Sequence, residues 1–474
     1  MSARRRVLVV GGGLAGIAAA LDCADAGAQV TLVEVRRQLG GAAYSFEREG
    51  LRMDNGQHVF LRCCTAYRAL LARLGSERLT SVQPRLRIPV LSPGRPPALL
   101  QRGPLPAPLH LGGALARYPH LDMRERLGAV RAALALMRVD PEDPAQDALD
   151  FGDWLARRGQ GPRAVAALWD LVALPTLNLP AAQASLALSA FVFRTGLLSR
   201  ADAGDIGFHD APLGDTIGEP ALRTLRQAGV DVRLGWRAQR LAQSGGGLEV
   251  HGRGQNEAGE TLPAEDQTLP AEAVVLALPH TRAAPLLEPL LGEPARRLHA
   301  LGSVPIVNLH VVYDRQVCEL PFAAGVGTPV QYVFDRTHAA GAPAGCQYLA
   351  VSLSGAEQEM GMSVERLRER YLPALRELFP RARQAKVELF VATREHAATF
   401  RAAPGVAALR PPAQTAVPGL SLAGAWTSTG WPATLESAVR SGHAAARYAL
   451  QSLALSPQGQ GAPAGAAAAG ALAR

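Results

Sequence analysis

The spacing Gly11-x-Gly13-x-x-Gly16 puts three glycines where a chain can bend tightly around a diphosphate. An apolar run, Arg6 to Val10, precedes them and reads as a strand, and Leu14 to about Ala26 reads as an Ala/Leu-rich helix. In that setting Gly11 permits the turn, Gly13 lets a pyrophosphate approach the backbone, and Gly16 lets helix pack on strand. Leu14, Ala15 and Gly16 then form a helical first turn whose amides and partial positive charge suit an anion. Gln29 to Glu34 reads as a second strand, ending on a carboxylate 18 residues after Gly16. Glu34 can accept hydrogen bonds from both ribose hydroxyls and disfavours a 2'-phosphate, so the adenosine expected is that of FAD or NAD.

The residues after Glu34 separate those two cofactors. Arg36, the pair Gly40-Gly41, Ser45 and Asp54-Asn55-Gly56-Gln57-His58 form a pattern that a simple NAD fold has no reason to contain. Val33 to Gly41 resembles the second FAD motif of the amine oxidase and phytoene desaturase superfamily, in which the arginine and the glycine pair hold the pyrophosphate. The third FAD motif is matched by Leu420 to Thr427, which includes Gly424 and Ala425, and continues through Gly430-Trp431-Pro432-Ala433-Thr434-Leu435. The Asp-x-Gly-x-His stretch, taken with Trp426-Thr-x-Thr-Gly-Trp-Pro-Ala-Thr, most resembles the hydroxysqualene dehydroxylase branch, up to about residue 452.

The resemblance implies an FAD enzyme acting on a long apolar isoprenoid: hydroxysqualene reduced to squalene in hopanoid biosynthesis, with an unidentified electron donor reloading the flavin. It places Asn55, Gly56, Gln57 and His58 beside the isoalloxazine, and Pro432, Thr434 and Leu435 at a helix start facing the flavin pyrimidine. Ala238 then lies beside the adenine, where the superfamily usually has valine. Ala42 and Ala425 replace an arginine and an aspartate of the pattern, and Glu436 or Arg440 are the neighbours that could compensate. The rivals are a desaturase running hydride the opposite way, an amine oxidase, and a prenyl-binding protein of the GDP-dissociation-inhibitor type without a working flavin.

His58 has two readings. Its imidazole could protonate a leaving hydroxyl, or it could pack on the apolar strand Val59-Phe60-Leu61. No His-x-x-x-His pair or acid cluster suggests a metal, and five scattered cysteines suggest neither disulfides nor zinc. Ala181 to Phe193 is apolar enough to line a substrate slot, lie on a membrane, or be ordinary core. The sparse aromatics argue against an amine-binding cage.

These residues need elements to position them. The expected fold is α/β: an FAD-binding Rossmann-like domain of the glutathione reductase type, discontinuous over 1–75, 215–300 and 405–456, and a mixed α+β substrate domain from 76–214 and 301–404. Further strands are expected at Val230–Leu234, Ala273–Leu278, Ile306–Tyr313, Val330–Phe334, Gln347–Leu353, Val387–Thr393 and Leu420–Ala423. Helices are expected at Arg124–Arg138, Ala221–Ala228, Val364–Leu378 and Leu435–Leu450, with 75–215 helical and irregular. Residues 457–474, nearly all Gly, Ala, Gln and Pro, read as a disordered tail.

Length and composition fit several domains. The 474 residues are 48% hydrophobic and 19% charged, with 49 basic and 41 acidic residues giving +8. Lys386 is the lone lysine. Arginine-rich, Gly/Pro/Ala-rich composition reflects GC-rich coding, and without an arginine stripe interleaved with aromatics nucleic-acid binding is not expected. The glycines at 11–13 would weaken a signal helix, so the expected location is cytoplasmic, with at most peripheral membrane contact.

Overall fold

The computed structural model describes residues 5–245, 247–254 and 267–454; the expected tail at 457–474 lies outside them. Its first sheet has five parallel strands, β1 (Arg6–Val10), β2 (Gln29–Glu34), β10 (Asp231–Leu234), β14 (Ala273–Leu276) and β20 (Leu420–Leu422), in the order β10-β2-β1-β14-β20. Val7 to Val10 and Ala273 to Leu276 are fully buried, because a parallel sheet is covered on both faces and its central strands must be apolar throughout. Helix α1 (Leu14–Asp25) leaves the glycine turn and ends at Gly27, whose φ of +85° suits the left-handed stop.

Five helices fix the site or bear on it later: α2 (Thr65–Arg73), α3 (Met123–Leu136), α4 (Leu186–Phe193), α5 (Val364–Leu378) and α6 (Leu435–Ser452). The last packs lengthwise on α1. Gly442 makes that crossing close, since a Cβ there would overlap the Ala15 carbonyl.

The largest sheet has seven strands in the order β19-β15-β18-β17-β16-β7-β8: β7 (Arg87–Leu91), β8 (Ala98–Gln101), β15 (Val304–Tyr313), β16 (Phe322–Gly325), β17 (Tyr332–Asp335), β18 (Gln347–Ser354) and β19 (Val387–Thr399). Period-2 alternation gives it two different faces. Val307, Leu309 and Val311 pack with Leu367, Tyr371 and Leu375 of α5. Asn308 and His310 point the other way, toward the hairpin of β3 (Ser45–Arg48) and β4 (Leu51–Asp54). Two small antiparallel sheets complete the set: β5 (Phe60–Leu61), β9 (Ile206–His209) and β6 (Thr80–Val82), and the β11 (Trp236–Ser244), β12 (Gly247–Gly254) and β13 (Gln267–Ala271) meander.

Two expectations need correction. The stretch 75–215, read as helical and irregular, contains β6 to β9 as well. Pro89 disguised β7; it is tolerated because β16 pairs only with Val90 and Leu91, leaving position 89 outside that ladder. Of the three readings of Ala181–Phe193, membrane contact is the one overturned: in α4, Leu186 is wholly buried and Leu188 and Phe193 nearly so, within a core containing Phe151 and Trp169, while Ala182 and Gln183 before the helix are exposed. Helix α4 has no exposed residue to offer a membrane.

Candidate active site

The glycine turn sits at the carboxyl ends of the central parallel strands. Gly11 has φ +113° and donates its N–H to Val33 O at 2.8 Å. Gly13 is the N-cap of α1 without any side-chain cap, so the amides of the first turn, at Leu14, Ala15 and Gly16, are left for an anion. Leu14 and Ala15 themselves are buried. A Cβ on Gly13 would meet only Gly41 Cα, at 3.6 Å, whereas one on Gly41 would lie 2.7 Å from Gly13 Cα. Gly40 N–H donates to Gly12 O at 2.9 Å, so the glycine pair closes against the turn.

Glu34 is buried, its two oxygens accepting from Gly12 N at 2.6 Å and Arg36 N at 2.8 Å. A carboxylate has about four acceptor sites, so capacity remains for two ribose hydroxyls. The Arg36 guanidinium donates to Gly41 O at 2.8 Å and lies 4.4 Å over the Tyr44 ring. An uncapped helix start, room at Gly13 and a buried acid together fit a dinucleotide. Ala238 lies on β11 opposite Gly252, partly buried, and β11 begins just after Gly235, whose N–H donates to Arg36 O at 3.1 Å.

Asn55 joins two motifs. Its Nδ2 donates to Ala42 O at 2.8 Å and Glu395 Oε1 at 3.0 Å, and its Oδ1 accepts from Tyr44 N at 3.2 Å. Its carbonyl accepts from Asn308 Nδ2 at 3.1 Å and Thr393 Oγ1 at 2.8 Å. Thr393 in turn accepts from His310 Nε2 at 3.1 Å, and His310 Nδ1 accepts from the Tyr348 hydroxyl at 2.6 Å. Burial holds the His310 imidazole down to about 4, so it is neutral. Gly56 rests directly on the Asn308 amide. Two buried polar atoms here have no protein partner, Asn308 Oδ1 and Gln57 Nε2.

Asp54, next to this loop, is structural. It pairs with Arg336 at 2.9 Å and accepts from Ser45 Oγ and Leu213 N, tying the β3–β4 hairpin to two loops.

His58 is half-buried, with Nδ1 3.0 Å from Gly56 O. Burial lowers its pKa, against the opposing fields of Asp54 and Glu395. Its carbonyl accepts from His209 Nδ1 at 2.9 Å, and His209 Nε2 accepts from the Tyr67 hydroxyl at 2.7 Å, which fixes the backbone on which His58 stands.

The segment after β20 reaches the same region through α6. Gly424 has φ +145° and donates to Ser441 Oγ at 2.8 Å. Ala425 O accepts from Ser437 Oγ and Arg410 Nη2, both at 3.2 Å. Thr434 caps α6 by accepting from Ser437 N at 3.2 Å, with Leu435 opening the helix and Pro432 just before it. Glu436 and Arg440, the neighbours of the altered third motif, are engaged with α2 and with each other. Glu436 is wholly buried, accepts from Ala66 N and Tyr67 N at the start of α2, and pairs with Arg440 at 2.7 Å.

With this geometry in view, the comparisons with known proteins decide the class. Residues 14–450 match the model of the flavin containing amine oxidoreductases. The chain belongs to that family. It is an FAD-dependent oxidoreductase. Its relatives include hydroxysqualene dehydroxylases from Zymomonas mobilis, 29% identical over 93% of this chain and 98% of that one, and from Sinorhizobium fredii, 27% identical over 94% and 98%. A zeta-carotene desaturase from Synechocystis is 24% identical over 94% and 97%. Cyclohexylamine oxidase from Brevibacterium oxydans superposes with a TM-score of 0.71 at 18% identity, covering 95% of this chain and all (100%) of that one. The α/β flavoprotein fold and the dehydroxylase resemblance read from the motifs are both borne out.

Sequence reasoning missed Asn308, Thr393, Glu395 and Arg410. Asn308 and His310 carried a signal: two polar residues at period 2 inside the apolar run Val304–Tyr313. Arg410 carried none. It is buried, its guanidinium donates to the carbonyls of Ala425, Trp426 and Thr427, and burial lowers its pKa to about 10.

Proposed function

We propose that this oxidoreductase removes an allylic hydroxyl from a long isoprenoid by reduction, converting hydroxysqualene to squalene for hopanoid synthesis, and that a cellular electron donor reloads its flavin. The observation carrying this reading is the buried polar patch of Asn308, Thr393 and His310 against Gly56, in a chain similar over nearly its full length to hydroxysqualene dehydroxylases. Within it Asn308 Oδ1 is the acceptor left without a protein partner, and it would give one end of an apolar substrate a hydroxyl-sized point of recognition, since an O–H left without a partner inside a protein costs roughly 1–3 kcal/mol.

FAD would be held by the α1 N-terminus, Glu34, Arg36, Gly40-Gly41 and the Gly424–Leu435 segment, with Asn55 to His58 beside its ring. When bound and reduced, it supplies a hydride equivalent to an electron-poor carbon. The chain's own work is to orient the alcohol, exclude water and provide a proton. The C–O bond breaks as the oxygen takes that proton and leaves as water, and allylic delocalisation carries the charge left on carbon. His58 is the proposed proton donor. Its lowered pKa makes the imidazolium a stronger acid, and Asp54 and Glu395 favour its charged form. Asn308 Oδ1, already oriented by the Asn55 contact of its amide nitrogen, would accept from the substrate hydroxyl.

The similarity to zeta-carotene desaturases supports a second reading, in which hydride leaves an isoprenoid C–H for oxidised flavin. Product analysis separates the two. Chemically reduced protein should convert hydroxysqualene to squalene, and oxidised protein should leave squalene unchanged; desaturation of a hydrocarbon with no reduction of the alcohol supports the desaturase instead.

A further inference from the structure

Of the ten most exposed large apolar side chains among the described residues, seven lie between positions 99 and 134. Four of them belong to α3: Met123 at 66%, Leu127 at 52%, Val130 at 43% and Leu134 at 48% exposure. At ~100° per residue these positions fall within about 60° of arc. The opposite side of the helix, through Gly128, Ala129, Ala132 and Leu136, is buried in the protein. The apolar stripe therefore faces straight outward, and Leu105 and Leu109, also exposed, lie on the segment leading into the helix.

The helix is firmly held in this pose. Asp122 and Glu125 form a reciprocal capping box, and Arg163 pairs with both. Arg126 donates to Ala116 O at 2.6 Å and Tyr118 O at 2.8 Å. Beside the stripe stand Arg124 and Arg131, exposed and without an acidic partner among the described residues. An apolar stripe bordered by arginines matches a bilayer interface with anionic headgroups, which takes the apolar side chains below the headgroups and the guanidinium groups among the phosphates.

We infer that the outward face of α3 is the surface by which this protein docks on an anionic phospholipid membrane. The choice of lipid over a protein partner rests on the proposed isoprenoid substrate, which dissolves in bilayers and not in water. Helix α4 cannot serve, being core; α3 takes that role with a longer and more strongly charged helix.

The test is co-sedimentation of the FAD-loaded protein with vesicles of phosphatidylcholine alone or mixed with phosphatidylglycerol. The native protein should partition onto the mixed vesicles, more weakly at high salt. Leu127→Glu/Leu134→Glu should reduce partition at least tenfold, and Arg124→Glu/Arg131→Glu should remove the preference for the anionic lipid. Leu149→Glu, at another exposed leucine, should leave partition unchanged. Both α3 variants should turn over detergent-dispersed hydroxysqualene at the native rate, which also shows that they are folded. Native protein that ignores vesicles, or an α3 double variant that partitions like native, overturns the inference. So does a native dimer that the Leu127→Glu/Leu134→Glu change dissociates, which would assign the face to a second copy. Absence of turnover in detergent by native protein that still binds vesicles counts against the substrate reading alone.

Discussion

Gly56 has no room for a side chain because Asn308 occupies it: a Cβ at 56 would stand 2.8 Å from Asn308 Nδ2, the atom that donates to Asn55 O at 3.1 Å. Gly56→Ala should push the Asn308 amide off Asn55 and weaken FAD binding by tenfold or more, read by flavin fluorescence titration. Asn308→Ala in the same chain should restore part of the loss by clearing the clash. A double variant no better than Gly56→Ala means the two residues do not share the strain.

Gly13 and Gly442 should behave in opposite ways. Gly13 sits in extended backbone where a Cβ would make only ordinary contact with Gly41 Cα, at 3.6 Å, so Gly13→Val should fold with a near-native apoprotein melting temperature yet bind no FAD. Gly442→Val drives a side chain into the Ala15 backbone at the α1–α6 crossing and should destabilise the fold by roughly 1–3 kcal/mol. Denaturant melts and flavin absorbance measured on both variants check the contrast.

That contrast shows what the chain reveals about itself. The turn at Gly11–Gly16, helices α1 and α5, and all five parallel strands are legible because each rests on a short contiguous pattern: an apolar strand, a glycine bend, a helical periodicity. Asn308 meets Asn55 across 253 positions. Which residues of β15 and β19 face the loop is set by sheet register, and no local window contains it. The run at 181–193 shows a different limit, because an all-round apolar segment has the same composition whether it lies in a core or on a lipid surface.

If His58 supplies the proton, turnover requires its cationic form. Because burial lowers its pKa below the ordinary 6.5, the rate should be highest at acid pH and fall as pH rises through that lowered value. His58→Ala should slow flavin reoxidation by the alcohol ~10²-fold at saturating FAD. A pH-independent native rate, with a His58→Ala rate close to native, assigns the imidazole to packing.

Buried His209 and His310 are held neutral, with pKa values lowered by burial to about 3 and about 4. An unfolded chain protonates both near pH ~6.5. Below that pH the unfolded state binds protons that the folded state excludes, so stability should decline as pH falls from 6.5 toward 4. Melting temperatures of the holoenzyme across that range measure it, and His310→Gln should flatten part of the slope.

The most direct measurement of the central claim is anaerobic stopped-flow mixing of the reduced holoenzyme with hydroxysqualene, with squalene as the control. Reductive dehydroxylation predicts that oxidised-flavin absorbance returns only with the alcohol, one equivalent of squalene forming per flavin. Flavin that stays reduced in the presence of the alcohol, in protein that binds it, would contradict the account.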